Sequence, residues 1–174
     1  MTSLEQQQRA LLALIKKRSL PREDCDEYLR HVGASDELGL VREIALWWRA
    51  LGIERNCPLT AKLLRKIGRF EPAVESFYCR HATSPYMEEM AVQFLEAMSV
   101  DSDPLMRAMA AFELAMARVA QGDPREFVIE WDRDPTAVLT ALRMGDPLPQ
   151  PDGLHRTTVG GAQSDLRSEI PIPG

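Results

Sequence analysis

The stretch DPLMRAMAAFELAMARVAQG, residues 103–122, decides the fold that this sequence predicts. It begins with Asp103 and Pro104, a pair typical of a helix N-terminus, and it ends at Gly122, a residue type that commonly stops a helix. Its large apolar side chains fall on one face of the predicted helix: Leu105, Met109, Phe112, Met116 and Val119. Alanines cover most of the remaining surface. Because a helix that is apolar nearly all round must be covered, we expect this one to be buried at the centre of the fold.

Helical patterns also fill the chain on both sides of this stretch. We expect helices over residues 3–18, 21–33, 35–52, 59–68, 72–82, 84–98 and 135–144. In the 35–52 segment Gly52 is expected to end the helix, and one face is expected to be buried: Leu38, Val41, Ile44, Ala45, Trp48 and Leu51. The sequence therefore predicts an all-α, single-domain bundle of seven to eight helices around a buried central helix.

A minor β element is expected after Gly122. The run EFVIEW, residues 126–131, is rich in β-branched and aromatic residues and predicts a strand. Residues 146–174 form a tail rich in Pro and Gly, so we divide the chain into a helical domain (1–145) and this tail. Segments 154–159 and 166–172 could form a loose hairpin that pairs with the 126–131 strand. A tail without a fixed structure is the alternative.

Composition indicates an ordinary globular protein. The chain has 174 residues, 45% of them hydrophobic, and a formal net charge of −5, which argues mildly against a dedicated nucleic-acid binder. The cysteines, Cys25, Cys57 and Cys79, lack metal-type spacing and are typical of reduced thiols. The N-terminus does not resemble a signal peptide, and no apolar run is long enough for a membrane span. We therefore expect a cytoplasmic protein.

Candidate catalytic residues are few. Cys79 and His81 lie two positions apart, so on a helix they point in different directions and cannot bind one metal ion together. Glu113 lies on the most apolar helix, where a buried carboxylate would need a partner or would have a raised pKa. Packing and ion-pair roles explain these residues more simply than catalysis does. A small helical enzyme that uses Glu113 or Cys79 is therefore our third hypothesis.

No metal or cofactor is expected. Glu88 and Glu89, and Asp101 and Asp103, lack the alternating oxygen ligands of a calcium loop. The two aspartates are explained by turn formation and helix capping.

Two features indicate partner binding. Trp47 and Trp48 are adjacent, so one of them is expected at the surface, where tryptophan is enriched in interfaces. The 126–131 strand, with Phe127, Ile129 and Trp131, could leave an open edge for an incoming peptide strand. Simple packing of the tryptophans, and coverage of the edge by the chain's own tail, are the alternatives.

A basic helix offers a different function. The basic helix 59–69 carries Lys62, Arg65, Lys66 and Arg69. It follows the predicted helix 35–52, and the two together have the outline of a helix-turn-helix DNA reader. A solvated basic face is the simpler interpretation. A DNA-binding transcriptional regulator is our second hypothesis.

Residues 70–125 resemble a known family. The similar segments are RFEPAVESF, the start Ser84-Pro85-Tyr86-Met87 with Glu89, and the long helix with Phe112-Glu113-Leu114 at its centre. They are similar to bacterial accessory or DNA-binding proteins encoded beside iron-dependent enzymes that modify ribosomally made peptides. This resemblance implies a non-catalytic subunit that presents a peptide to such an enzyme, which is our leading hypothesis.

Overall fold

The computed structural model describes residues 3–16 and 27–161 of the chain. The described elements, in chain order, are α1 (Leu4–Ile15), α2 (Glu27–Gly33), α3 (Asp36–Asn56), α4 (Pro58–Lys66), α5 (Phe70–Arg80), α6 (Met87–Met98), α7 (Pro104–Ala120), β1 (Phe127–Trp131), α8 (Pro135–Met144) and β2 (His155–Val159). Eight helices and one two-stranded sheet within this part of the chain confirm the predicted all-α class with a minor β element.

The contacts divide the chain into two compact units. Unit 1 is Met1–Ala91 and unit 2 is Val92–Gly174, so the boundary falls within α6. None of the described helices combines the length and the apolar character that a membrane crossing requires.

In unit 1, α3 is the element with the most helical neighbours. It contacts α1, α4 and α5. The fully buried side chains of these helices and of α2 include Leu29, Ile53, Leu63, Leu64, Phe70 and Phe77. Leu38 and Ile53 are the large side chains of α3 that are buried, so only part of its apolar surface is used in packing.

Gly52 does not end α3 as the sequence suggested. The helix continues to Asn56, whose Nδ2 donates to the Gly52 carbonyl over 2.8 Å, and a single residue, Cys57, separates it from α4. Gly52 is buried, and a Cβ atom there would lie 2.9 Å from Cε of Met90. A glycine is therefore required here because Met90 packs closely against α3, and not because the chain turns.

In unit 2, local chemistry sets the ends of α7 as predicted. Asp103 caps the helix, since its Oδ1 accepts from the backbone N–H groups of Leu105 (3.0 Å) and Met106 (3.4 Å). Gly122 follows the helix with φ +89°. Most residues from Leu105 to Ala115 are buried. The last two turns are more exposed than predicted, with Met116 at 42%.

The predicted strand and its predicted partner both form. β1 pairs with β2 in an antiparallel register that joins Phe127 to Val159 and Trp131 to His155, and both strands contact α7. The tail therefore supplies a strand to the sheet, as expected for residues 154–159. The second arm of the proposed hairpin, residues 166–172, lies outside the described residues.

Close packing at Gly52 generates a prediction. Gly52→Val should lower the free energy of unfolding by about 1–3 kcal/mol, because the added side chain meets Met87 and Met90. Gly39 lies in the same helix, and no atom lies within 4 Å of the position that a Cβ atom would take there. Gly39→Ala should therefore raise the free energy of unfolding by about 0.5–1 kcal/mol through helix propensity. Urea denaturation measures the free energy of unfolding of both variants. Equal effects of the two changes would contradict the close packing at Gly52.

Candidate functional site

An apolar stripe on α3 is exposed in the described structure. Trp47 and Trp48 are 58% and 51% exposed, and their rings meet edge to face with centroids 4.9 Å apart. Three further apolar side chains share this surface, each between 43% and 59% exposed: Leu40, Val41 and Ile44. We call these five residues the α3 stripe. Val41, Ile44 and Trp48 were expected in the core, so the side of α3 that packs is rotated away from the predicted one.

A groove of about 320 Å³ lies beside the stripe within unit 1. It is lined by Ala45, Trp48, Arg49, Tyr78, Pro85, Met87 and Met90. The Nη1 of Arg49 donates to the carbonyl of Ser84 over 3.1 Å, which holds the guanidinium at the groove. The walls of the groove are therefore mainly apolar, with one cation.

Two cations flank the ring of Tyr78. The ring centroid lies 5.6 Å from Cζ of Arg49 and 4.9 Å from Nζ of Lys16, which is 5% exposed and donates to the His81 carbonyl over 2.7 Å. The aromatic face and the carbonyl oxygen offset the cost of burying the Lys16 ammonium. This lysine therefore has a structural role in unit 1.

The strand residues predicted to bind a partner divide between the interior and the surface. Ile129 and Trp131 are buried at 4% and 1% exposure, and Phe127 is half-buried. The Trp131 ring meets Phe112 of α7 edge to face, and its Nε1 donates to Oγ1 of Thr157 over 2.9 Å. The side chains of Ile129 and Trp131 therefore hold the sheet on α7. Contact with a partner would involve the outward-facing residues and the backbone of β1.

The outward face of β1 carries Val128 and Glu130. Val128 is 58% exposed, and Glu130 is paired with Arg156 of β2 at 2.9 Å. Within residues 3–16 and 27–161, β2 is the single strand that pairs with β1. The chain's own tail therefore covers one edge of β1, which was the alternative to an open edge, and the opposite edge has no partner strand in this part of the chain.

A second cavity, of about 470 Å³, lies at the C-terminal end of β1. Its lining includes Pro104, Arg107, Glu130, Trp131, Asp132 and Leu154. Arg133 is bonded to both carboxylate oxygens of Asp132 and to the carbonyl of Pro149, and its guanidinium lowers the pKa of Asp132. The backbone carbonyl of Asp132 accepts from Asp152 N over 3.1 Å. The segment before β2 is thereby fixed beside the cavity.

Three of the four basic residues of the predicted DNA reader have partners within the fold. Arg65 bonds to Glu54 and, over 2.9 Å, to Glu71, and its guanidinium lies 4.2 Å from the ring centroid of Phe70. Lys66 and Arg69 also have interaction partners, and Lys62 is exposed. The single residue between α3 and α4 is shorter than the three to four residues that usually form the turn of a helix-turn-helix. This geometry favours a structural role for the basic helix.

The role of Arg65 generates a prediction. Arg65→Ala should lower the free energy of unfolding by about 1–2 kcal/mol, because it removes two partly exposed ion pairs and a cation–π contact. The matched control is Lys62→Ala on the same helix, which should change it by less than about 0.5 kcal/mol. Thermal or urea unfolding of both variants measures the difference. Equal stability of the two would contradict the structural role.

The candidate catalytic residues belong to different units. In unit 1, the Nδ1 of His81 lies 3.0 Å from the Phe77 carbonyl, and the imidazole stacks on the Phe77 ring. Cys79 is half-buried and has an interaction partner. In unit 2, Glu113 is 5% exposed, which the sequence left open, and it too has a partner. His81 is exposed, and its described contacts are those of a side chain at the end of a helix.

The acidic residues considered as metal ligands have local structural roles. Asp101 Oδ1 accepts from the backbone N–H of Asp103 over 2.9 Å, and Asp103 caps α7. Glu89 accepts from the Ser84 hydroxyl over 2.7 Å. Within the described ranges, no three His, Cys, Asp or Glu side chains are grouped closely enough to hold a metal ion.

No family model, curated protein or solved structure matches this chain. The features of the described structure that bear on function are the α3 stripe with its groove and the edge of β1 that no described strand covers. The sequence pointed to Trp47 and to β1. It did not point to Leu40, Arg49 or Val128, since their exposure depends on which faces the neighbouring elements cover.

Proposed function

We propose that this chain is a non-catalytic, cytoplasmic interaction protein that binds an extended peptide and presents it to a biosynthetic modifying enzyme. The observation that carries the proposal is the open edge of β1. A strand edge exposes backbone N–H and C=O groups, and a peptide in an extended conformation can pair with them.

The residues of β1 suit this use. Natural proteins often protect an exposed edge with Pro, Lys or a bulge, but β1 has the sequence Phe-Val-Ile-Glu-Trp and contains neither Pro nor Lys. Its one charged residue, Glu130, is offset by Arg156 of the neighbouring strand. Val128 offers an apolar contact beside the edge. A pairing peptide would therefore meet backbone groups and an apolar side chain rather than a repelling charge.

The sheet is also held in place before a peptide arrives. Ile129 and Trp131 anchor β1 on α7, and β2 pairs along its whole length. A strand that is already fixed loses little conformational freedom on binding, which favours affinity. Most of the conformational entropy lost on binding is then lost by the peptide.

The nature of the enzyme follows from the resemblance of residues 70–125. That resemblance implies an iron-dependent enzyme that modifies ribosomally made peptides, encoded beside this protein. Co-expression with such an enzyme and its precursor peptide should yield a stable complex. Absence of any complex with either molecule would count against the presenting role.

The peptide site itself can be tested with the full chain. Displayed random peptides are selected on the protein, and the affinity of the best peptide is measured by calorimetry. Val128→Arg should weaken binding about tenfold or more, because the charge and bulk oppose strand addition. The matched control is Val100→Arg in the same unit, since Val100 is 79% exposed and lies outside the sheet.

Amide exchange locates the bound peptide. Binding should slow exchange at amides of residues 127–131, whereas Val100→Arg should leave both the affinity and this protection unchanged. Peptides that bind with no protection in β1, or with equal loss in the two variants, would overturn the strand-addition mechanism.

A further inference from the structure

The α3 stripe suggests a second interaction that is independent of the peptide site. We propose that the stripe pairs with the same stripe of a second copy of this chain, with the two α3 helices antiparallel about a two-fold axis. Two observations support this pairing: the positions of the charges at the ends of the stripe, and the apolar residues between them.

Opposite charges bracket the stripe. Glu37 and Arg55 are both exposed and lie eighteen residues apart on α3, which is about five full turns, so they share one face of the helix. The Ser35 hydroxyl lowers the pKa of Glu37 further below neutral, and a glutamate with its ordinary pKa is already charged at neutral pH. The stripe therefore lies between a negative and a positive side chain that are roughly 27 Å apart along the helix.

This arrangement is complementary to itself. When two such helices run antiparallel and are centred on residue 46, Glu37 faces the partner's Arg55 at each end. At the same register Ile44 faces the partner's Trp48, and Val41 faces the partner's Leu51. A parallel arrangement would place like charges opposite each other, which is unfavourable. The charge pattern thus selects a two-fold antiparallel pair, the isologous interface that is commonest among oligomers.

The apolar residues supply the attraction. Five large side chains that are about half exposed lie on one helix of 21 residues, and burying them against the apolar face of the partner's α3 removes apolar surface from water. Trp47 and Trp48 lie next to residue 46, the centre of the antiparallel pair, where aromatic residues contribute most to binding. A single helix pair is a small interface, so we expect association at micromolar rather than nanomolar concentrations.

Sedimentation equilibrium of the full chain from about 5 to about 500 μM tests the pairing over the range expected of a small interface. The weight-average mass should rise from 19.6 kDa toward twice that value. Ile44→Glu should keep the chain monomeric throughout. The matched control is Leu12→Glu, because Leu12 is 50% exposed and Ile44 is 49% exposed, and Leu12 lies on α1. That variant should associate as the wild type does.

Charge exchange tests the antiparallel register. Glu37→Arg alone and Arg55→Glu alone should each weaken association about tenfold, since each places two like-charge pairs in the interface. Mixing these two variants should restore it, because the heterodimer again has opposite charges at both ends. The double variant E37R/R55E should also associate.

Three results would overturn the proposal. These are a wild-type chain that stays monomeric at the highest concentration, equal effects of Ile44→Glu and Leu12→Glu, and mixed charge variants that associate no better than either alone. Circular dichroism of each variant should match the wild type, since all the changed positions are exposed. Val128→Arg should leave self-association unchanged, so failure of the peptide site and failure of this interface can be told apart.

Discussion

Unit 2 depends on the burial of α7. This helix is apolar over nearly its whole surface between Leu105 and Ala115, and it cannot be stable in water unless other elements cover it. The inner face of β1, with Ile129 and Trp131, supplies part of that cover. The dependence is mutual, because a two-stranded sheet is marginal alone and needs a packed face. The outer face and free edge of β1 are therefore held in place by the same contact that buries the helix.

The sequence predicted those elements whose ends are determined by local chemistry. Asp103-Pro104 and Asp134-Pro135 each form an N-cap and first helical residue, and Gly145 takes the left-handed conformation that ends α8. The 126–131 run predicted a strand because its side chains suit a pleated, half-buried surface. Its pairing with residues 154–159 was one of two outcomes that the sequence left open, the other being a tail without a fixed structure.

The features that the sequence did not predict depend on contacts between distant residues. Gly52 lies inside α3 at a point where Met87 and Met90 approach the helix closely, and no local pattern encodes that approach. The face of α3 that packs is set by its neighbours, so Val41, Ile44 and Trp48 form an exposed stripe despite their apolar character. The sequence suggested Arg65 as a DNA-binding residue, but in the structure it pairs with Glu54 and Glu71. Binding surfaces are thus the part of the structure that the sequence predicts least well, because they consist of the residues that packing leaves exposed.

Hydrogen–deuterium exchange of the native full chain tests the burial of α7 most directly. Opening of a buried, tightly packed helix requires more of the structure to unfold than opening of a surface helix does. The amides from Met109 to Ala115 should therefore be among the slowest to exchange, and much slower than those of α1, where Leu4 and Leu12 are exposed. If the α7 amides exchange as fast as those of α1, the helix is not the buried support of the β1–β2 sheet, and β1 does not offer a peptide a fixed edge.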